Sequence, residues 1–280
     1  MTGLNVPQRI VPYSPFVSDS ATSSTTSGNG PVDVSAYATA GSGTLASPWT
    51  GWDAAITWSD HGAYYFPSRG ASGRGYYAYA SAPLWAKKAI RLWGDGDATV
   101  LKFTGSVGPG ANFVLPIGQM VFGCIFEKFV LQGNALATIG LNAEGVHHFS
   151  FRDLKIIDFP GTAILHKFGI QGEYDHIRIT GNEADQTYTP QYGIVFDRRT
   201  TNEPVNVVTI RNCHIDQTSI EAVWFKYANA CKIDTTAIEG NSGHGLKFEA
   251  ANADLNMLHQ VHFEANTLGD ATIPQGTVVE

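Results

Sequence analysis

The sequence predicts an all-β chain wound into a right-handed, single-stranded parallel β-helix of about six coils, behind an N-terminal cap that contains a short helix. Three observations predict it. Charged residues make up only 15% of 280 residues, while Gly (30), Phe (15), Tyr (11) and Trp (6) are plentiful, the profile of short strands joined by turns. Apolar positions return at regular intervals from Leu131 onward. One phrase occurs twice: Ile238-Glu239-Gly240-Asn241 comes back as Phe263-Glu264-Ala265-Asn266.

In chain order, residues 1–31 read as a flexible arm. Pro punctuates its first half, and "VSDSATSSTTSGNGP" is low-complexity Ser/Thr/Gly. Residues 32–125 read as the cap and first coils. A strand-like opening from Asp33 leads to a Gly-rich turn, and Thr50 is placed as the N-cap of a helix over 51–58, with Asp53 closing a capping box. "AYYFP", "YYAYA", "AIRLW" and "TVLKF" follow as short strands between Gly and Pro.

Residues 126–280 read as the coils, with a C-terminus that lacks an evident polar cap and is expected to continue or to associate. Leu131, Ile157, Ile179, Ile215, Ile238 and Phe263 align at gaps of 26, 22, 36, 23 and 25 residues. Leu141, His166, Phe196, Phe225 and Phe248 form a second series, and Phe151, Ile210, Ile233 and Leu258 a third. The 36-residue gap accommodates the polar loops "NEADQTYTPQ" and "RRTTNEP". No single coil can bury its own apolar side, so stacking must do it. The windows alternate with period two, which excludes helical repeats.

Composition narrows function. A net charge of −7 argues against nucleic acid, and no apolar run is long enough for a membrane helix. The N-terminus has no basic-then-apolar secretory pattern. Cys124, Cys213 and Cys231 fit no metal spacing and read as small buried residues.

Residues 33–103 resemble the opening motif of the pectate-lyase-like parallel β-helix superfamily, which includes phage tailspikes. The matching phrases are Asp33-Val34, Tyr37-Ala38, Gly41-Ser42-Gly43 and Ala54-Ala55-Ile56, then "AYYFPSRG" and "AIRLWGDGDATVLKF". "LASPWTGW" stands where the family carries an acidic stretch. The resemblance implies a polysaccharide substrate outside the cell. Particle proteins leave by lysis, so a missing signal directs the reading to a virion or extracellular location and, by the tailspike likeness, to a homotrimer.

Candidate chemistry follows from the period-two alternation. With Ile179, Ile215, Ile238 and Phe263 inside, Thr180, Asp216, Glu239 and Glu264 face out, as do Arg178, His214 and His262 on the other side of them. Rungs ~4.8 Å apart make Asp216, Glu239 and Glu264 a carboxylate ladder. Adjacent rungs approach the roughly 5–5.5 Å of a retaining glycosidase pair, and alternate rungs the roughly 6.5–9.5 Å of an inverting pair. The bland alternative is a solvated polar face. Lys167, Asp197, Lys226 and Glu249 read as a structural ionic row, and Trp224 in it as a platform for a sugar ring or a contact with a neighbouring chain.

Gly243-His244-Gly245 matches part of a polygalacturonase motif whose companions are missing, so a corner is expected. "GDGDAT" reads as a turn rather than a calcium loop. The expectation is a tailspike-like protein that binds and depolymerises a bacterial surface polysaccharide, by hydrolysis in preference to elimination, without a cofactor. Elimination would use Arg178, His214 or His262 as base and require Ca²⁺ to offset the acids. A non-catalytic glycan-binding or structural virion module and a bacterial polysaccharide lyase are the alternatives.

Overall fold

The computed structural model describes residues 31–280 apart from 57, 59–61, 71–72, 81–88, 106–108, 115–118, 182–185, 250–255, 273–277 and 280. The expected arm therefore lies outside the described residues, except for Pro31. From Val32 the chain winds as a right-handed parallel β-helix with three walls, and the strand pairings between coils are all parallel.

The first wall carries 125–127, 150–152, 173–175, 209–211, Lys232–Asp234 and Met257–His259. The second carries 129–132, 154–157, Arg178–Ile179, His214–Asp216, Ala237–Glu239 and His262–Glu264. The third is a seven-stranded sheet running from Pro109–Val114 to Ala271–Thr272.

One residue turns each coil from the first wall to the second. Lys128, Asp153, His176, Asn212, Thr235 and Gln260 hold that corner, with φ between 46° and 62°. This left-handed residue resets the alternation. Phe126 faces in and Glu127 out, yet beyond Lys128 it is Phe129 and Leu131 that lie in the core. A second corner leads to the third wall through Asp158, Gln217, Gly240 and Ala265, again with positive φ.

The interior is columns of like side chains. Leu131, Ile156, Ile179, Ile215, Ile238 and Phe263 stack in register. Phe196, Phe225 and Phe248 stack with ring centroids 4.9 Å apart. Cys213 and Cys231 sit in the interior as free, buried thiols, and Cys124 is likewise buried.

Four expectations need correction. Ile156, not Ile157, occupies the inward column, because the Asp153 corner shifts parity; Ile157 faces out. Leu141 pairs with Ile164, while Ala143 is the partner of His166, so the second series slipped by two residues at its first member. The helix is a single turn, Trp52–Ala55. Thr50 does not cap it. Gly51 does so in a left-handed conformation, while Thr50 bridges Ala40 antiparallel to close the Gly-rich turn. Finally, only Val32–Asp33 of the opening is strand; Asp33 accepts from the Ser35 N–H and starts a 3₁₀ turn over Val34–Tyr37.

The cap is held by Trp52, which is fully buried, meets Phe66, Tyr77 and Tyr79 edge-on, and donates from Nε1 to the Ala78 carbonyl at 3.0 Å. "GDGDAT" is a turn containing a 3₁₀ segment, Gly96–Ala98, and the Asp95 carboxylate accepts from Tyr65 Oη and the Ser68 N–H.

Candidate active site

The second wall brings the predicted carboxylates together. Asp216 pairs with Glu239, and Glu239 with Glu264, all facing outward beside the column of buried Ile215 and Ile238 and half-buried Phe263. The next outward column is Lys155, Arg178, His214, Ala237 and His262. His214 Nε2 lies 2.7 Å from Glu239 Oε1 and 3.5 Å from Asp216 Oδ2, so one imidazole bridges two rungs. His262 Nε2 is 3.3 Å from Glu264 Oε2.

The ladder is graded in exposure. The Asp216 side chain is 16% exposed, Glu239 35% and Glu264 67%. Asp216 Oδ1 is out of contact with solvent and has no hydrogen-bond partner among the described residues. Thr180, the expected first rung, is buried rather than exposed; Gln186 Nε2 donates to the Thr180 carbonyl.

His214, Asp216 and Glu239 each offer an atom within 4.8 Å of one another, and so do Glu239, His262 and Glu264. Each set mixes imidazole with carboxylate. That mixture does not fit Ca²⁺, which takes oxygen ligands only.

Trp224 is not part of this cluster. It belongs to the third wall, where it stacks on Tyr192 at 5.5 Å, has Lys226 Nζ 3.9 Å from its ring, and donates from Nε1 to Glu249. Lys167, Asp197 and Lys226 alternate in sign along that wall, with Lys226 Nζ 3.9 Å from Asp197. His244 serves a corner: its N–H donates to buried Glu221, which also meets Lys247.

A third charged column was not anticipated. On the first wall Glu127, Arg152, Asp175, Arg211, Asp234 and His259 stack in register. Buried Glu127 accepts from both Arg91 and Arg152, and Arg211 meets Asp175 at 2.9 Å. The residues following Phe151, Ile210, Ile233 and Leu258 would have revealed it. Its signs alternate and neutralise one another. The Asp216–Glu239–Glu264 column repeats one sign, and that sets it apart.

No protein-family model matches the chain, and neither does any curated protein. Among solved structures the chain is similar to the ORF18 protein of Geobacillus virus E2, with 16% identity and a TM-score of 0.57 over 89% of this chain and 61% of the viral one. It thus spans about three fifths of that protein's length, and the likeness is one of fold. Looser alignments join it to the catalytic domain of Agl-KA (12% identity, TM-score 0.35, 94% of this chain and 70% of that one) and to the A-module of the Azotobacter vinelandii mannuronan C-5 epimerase AlgE6 (12%, 0.33, 89% and 98%).

Proposed function

We propose that this β-helix binds and depolymerises a bacterial surface polysaccharide, by hydrolysis, with the chemistry on Asp216 and Glu239. The observation that carries the reading is the same-sign ladder: three carboxylates in register on one outward face, the first two bridged by His214. Like charges held at this spacing cost energy unless a ligand or a proton transfer uses them.

Adjacent rungs suit a retaining pair, because Asp216 and Glu239 oxygens approach within 4.8 Å. Asp216 and Glu264, two rungs or ~9.6 Å apart, sit at the far limit of an inverting pair. In the retaining scheme Asp216, the less exposed acid, gives its proton to the leaving glycosidic oxygen. Glu239, oriented by His214, attacks the anomeric carbon. Asp216 then takes a proton from the water that cleaves the resulting ester. No step runs through a metal. The virion setting is supported by the fold shared with a Geobacillus virus E2 protein and by residues 33–103; a homotrimer is part of the same proposal.

Incubation with a panel of bacterial capsular and cell-wall glycans, followed by mass spectrometry of the products, tests it. Hydrolysis adds one water per bond cut. Glu239→Gln should lower turnover by about 100-fold or more while leaving the fold intact. Wild-type turnover in that variant would remove Glu239 from the mechanism. Unsaturated products absorbing in the ultraviolet would mean elimination by Arg178, His214 or His262. Binding without products would identify a glycan-binding module, in which His214 serves only to offset the ladder's charge.

A further inference from the structure

His214 stands in ion-pair range of two carboxylates, Asp216 and Glu239. Among the described residues the other histidine ion pairs involve one carboxylate each: Asp175 for His176, Glu221 for His244, Asp234 for His259 and Glu264 for His262. In two of these a lysine shares the carboxylate, Lys247 at Glu221 and Lys232 at Asp234. At Asp216 and Glu239 the ion-pair partner among the described residues is His214 alone. With a neutral imidazole the three side chains carry two negative charges. A proton on His214 offsets one of them; a divalent cation offsets both.

The spacing suits a small cation. Zn²⁺ bonds of about 2.0–2.2 Å, arranged as a tetrahedron, put neighbouring ligand atoms about 3.3 Å apart. His214 Nε2 stands 2.7 Å from Glu239 Oε1 and 3.5 Å from Asp216 Oδ2, and the three donor atoms lie within 4.8 Å of one another. A separate observation points to a ligand as well. Asp216 Oδ1 is shut off from solvent and accepts no hydrogen bond among the described residues. A buried oxygen left without a donor is costly, and a cation on the carboxylate offsets that cost. Asp216 forms the shielded side of the set, while His214 and Glu239 face solvent, where water completes the coordination. The second set, Glu239, His262 and Glu264, shares Glu239, but His262 and Glu264 are exposed and none of its oxygens is orphaned among the described residues.

We propose that His214, Asp216 and Glu239 bind one divalent transition-metal ion of the Zn²⁺ class, and that the bound ion switches the ladder off. The donor set selects the class: imidazole with carboxylate suits Zn²⁺ and its first-row neighbours, whereas Ca²⁺ and Mg²⁺ take oxygen ligands. The ion occupies the oxygen lone pairs with which Glu239 attacks the anomeric carbon and Asp216 carries its proton. Bound metal and hydrolysis therefore exclude each other. The metal site stands on the geometry alone; the inhibitory role rests on the polysaccharide reading above.

Calorimetric titration of the full chain with Zn²⁺, Ca²⁺ and Mg²⁺ chlorides, in a buffer that does not chelate metal, tests the site. One Zn²⁺ per chain should bind at least roughly tenfold more tightly than Ca²⁺ or Mg²⁺. His214→Ala and Asp216→Asn should each weaken Zn²⁺ by roughly tenfold or more, while His262→Ala leaves it unchanged. Co²⁺ in place of Zn²⁺ should give a visible absorption band that His214→Ala abolishes, with the circular dichroism spectrum of that variant matching wild type as the control for folding. No Zn²⁺ binding, binding no tighter than that of Ca²⁺, or binding indifferent to His214→Ala in a folded chain would overturn the site. On a glycan that the chain cleaves, Zn²⁺ should abolish turnover and a chelator should restore it; undiminished turnover with the site filled would overturn the switch. Zn²⁺ binding by a chain that cleaves no glycan of the panel would leave the metal site standing and overturn the hydrolytic reading together with the switch.

Discussion

His166 stands at the head of the Phe196–Phe225–Phe248 column, where the rest of the stack is aromatic hydrocarbon. It is fully buried, Nδ1 lies 2.7 Å from Tyr174 Oη, and Nε2 has no partner among the described residues. Burial pushes its pKa down to about 3. His147, also buried, is pushed to about 4, first by burial and then by His148 and Arg199. An unfolded His titrates near 6.5. Between the two values the unfolded chain binds a proton that the folded chain refuses, so stability is full above about pH 6.5 and falls as pH drops, by about 1.4 kcal/mol per pH unit for each residue. Glu127 acts lower. Burial raises its pKa, but hydrogen bonds from Arg91 and Arg152 outweigh this and hold it below the ordinary range, so its contribution persists until pH falls through the carboxylate region. The interval from pH 7 to 5 therefore isolates the histidines. Urea midpoints should fall steadily across it, with an unchanged m-value; a flat midpoint would mean that the His166 and His147 sites admit water and protons.

Asn241 and Asn266 tie successive second corners together. Asn241 Oδ1 accepts from the N–H and hydroxyl of Thr218, its Nδ2 donates to Asn266 Oδ1 at 2.8 Å, and Asn266 Nδ2 donates to the Ile238 carbonyl. Asn241→Ala would strand the buried Thr218 N–H and cost about 2–3 kcal/mol, or several degrees in Tm by calorimetry. Asn241→Leu should be no milder, since bulk cannot replace the bonds. These corners explain what the sequence made legible. Ile215, Ile238 and Phe263 follow plain alternation, and their outward neighbours Asp216, Glu239 and Glu264 fall where alternation puts them. The first-to-second corner was invisible because Lys128, Asp153 and Thr235 adopt positive φ without Gly or Pro to announce it. That hidden residue moved Ile157 off the inward column. Trp224 falls on the wall of Lys167 and Asp197, the row in which alternation places it. The fastening of Thr187 was illegible for a related reason: its N–H donates to a side chain, Asp158, 29 residues away.

At the scale of the whole molecule the walls are ladders in which each coil touches only its neighbours, so coils should be separable units. Excising residues 217–239 removes one complete turn and joins Asp216 to Gly240, which already holds the left-handed corner that Gln217 vacates. Every apolar column closes over the gap: Ile210 would meet Leu258, Ile194 would meet Leu246, and Ile215 would meet Phe263. The cost is visible too. Arg211 loses Asp234 and faces His259 instead, and the Asn241 bond to Thr218 disappears. The shortened chain should therefore melt cooperatively, with a β-sheet circular dichroism spectrum, several degrees below the full chain. Its ladder would place Glu264 directly above Asp216, recreating the spacing of adjacent rungs with Glu239 gone. If spacing is what the chemistry requires, the shortened chain should cleave polysaccharide more slowly than the full chain but measurably faster than full-length Glu239→Gln. A folded but inactive product would assign Glu239 a role that no neighbouring carboxylate can assume. A chain that fails to fold would show that the coils are not independent units.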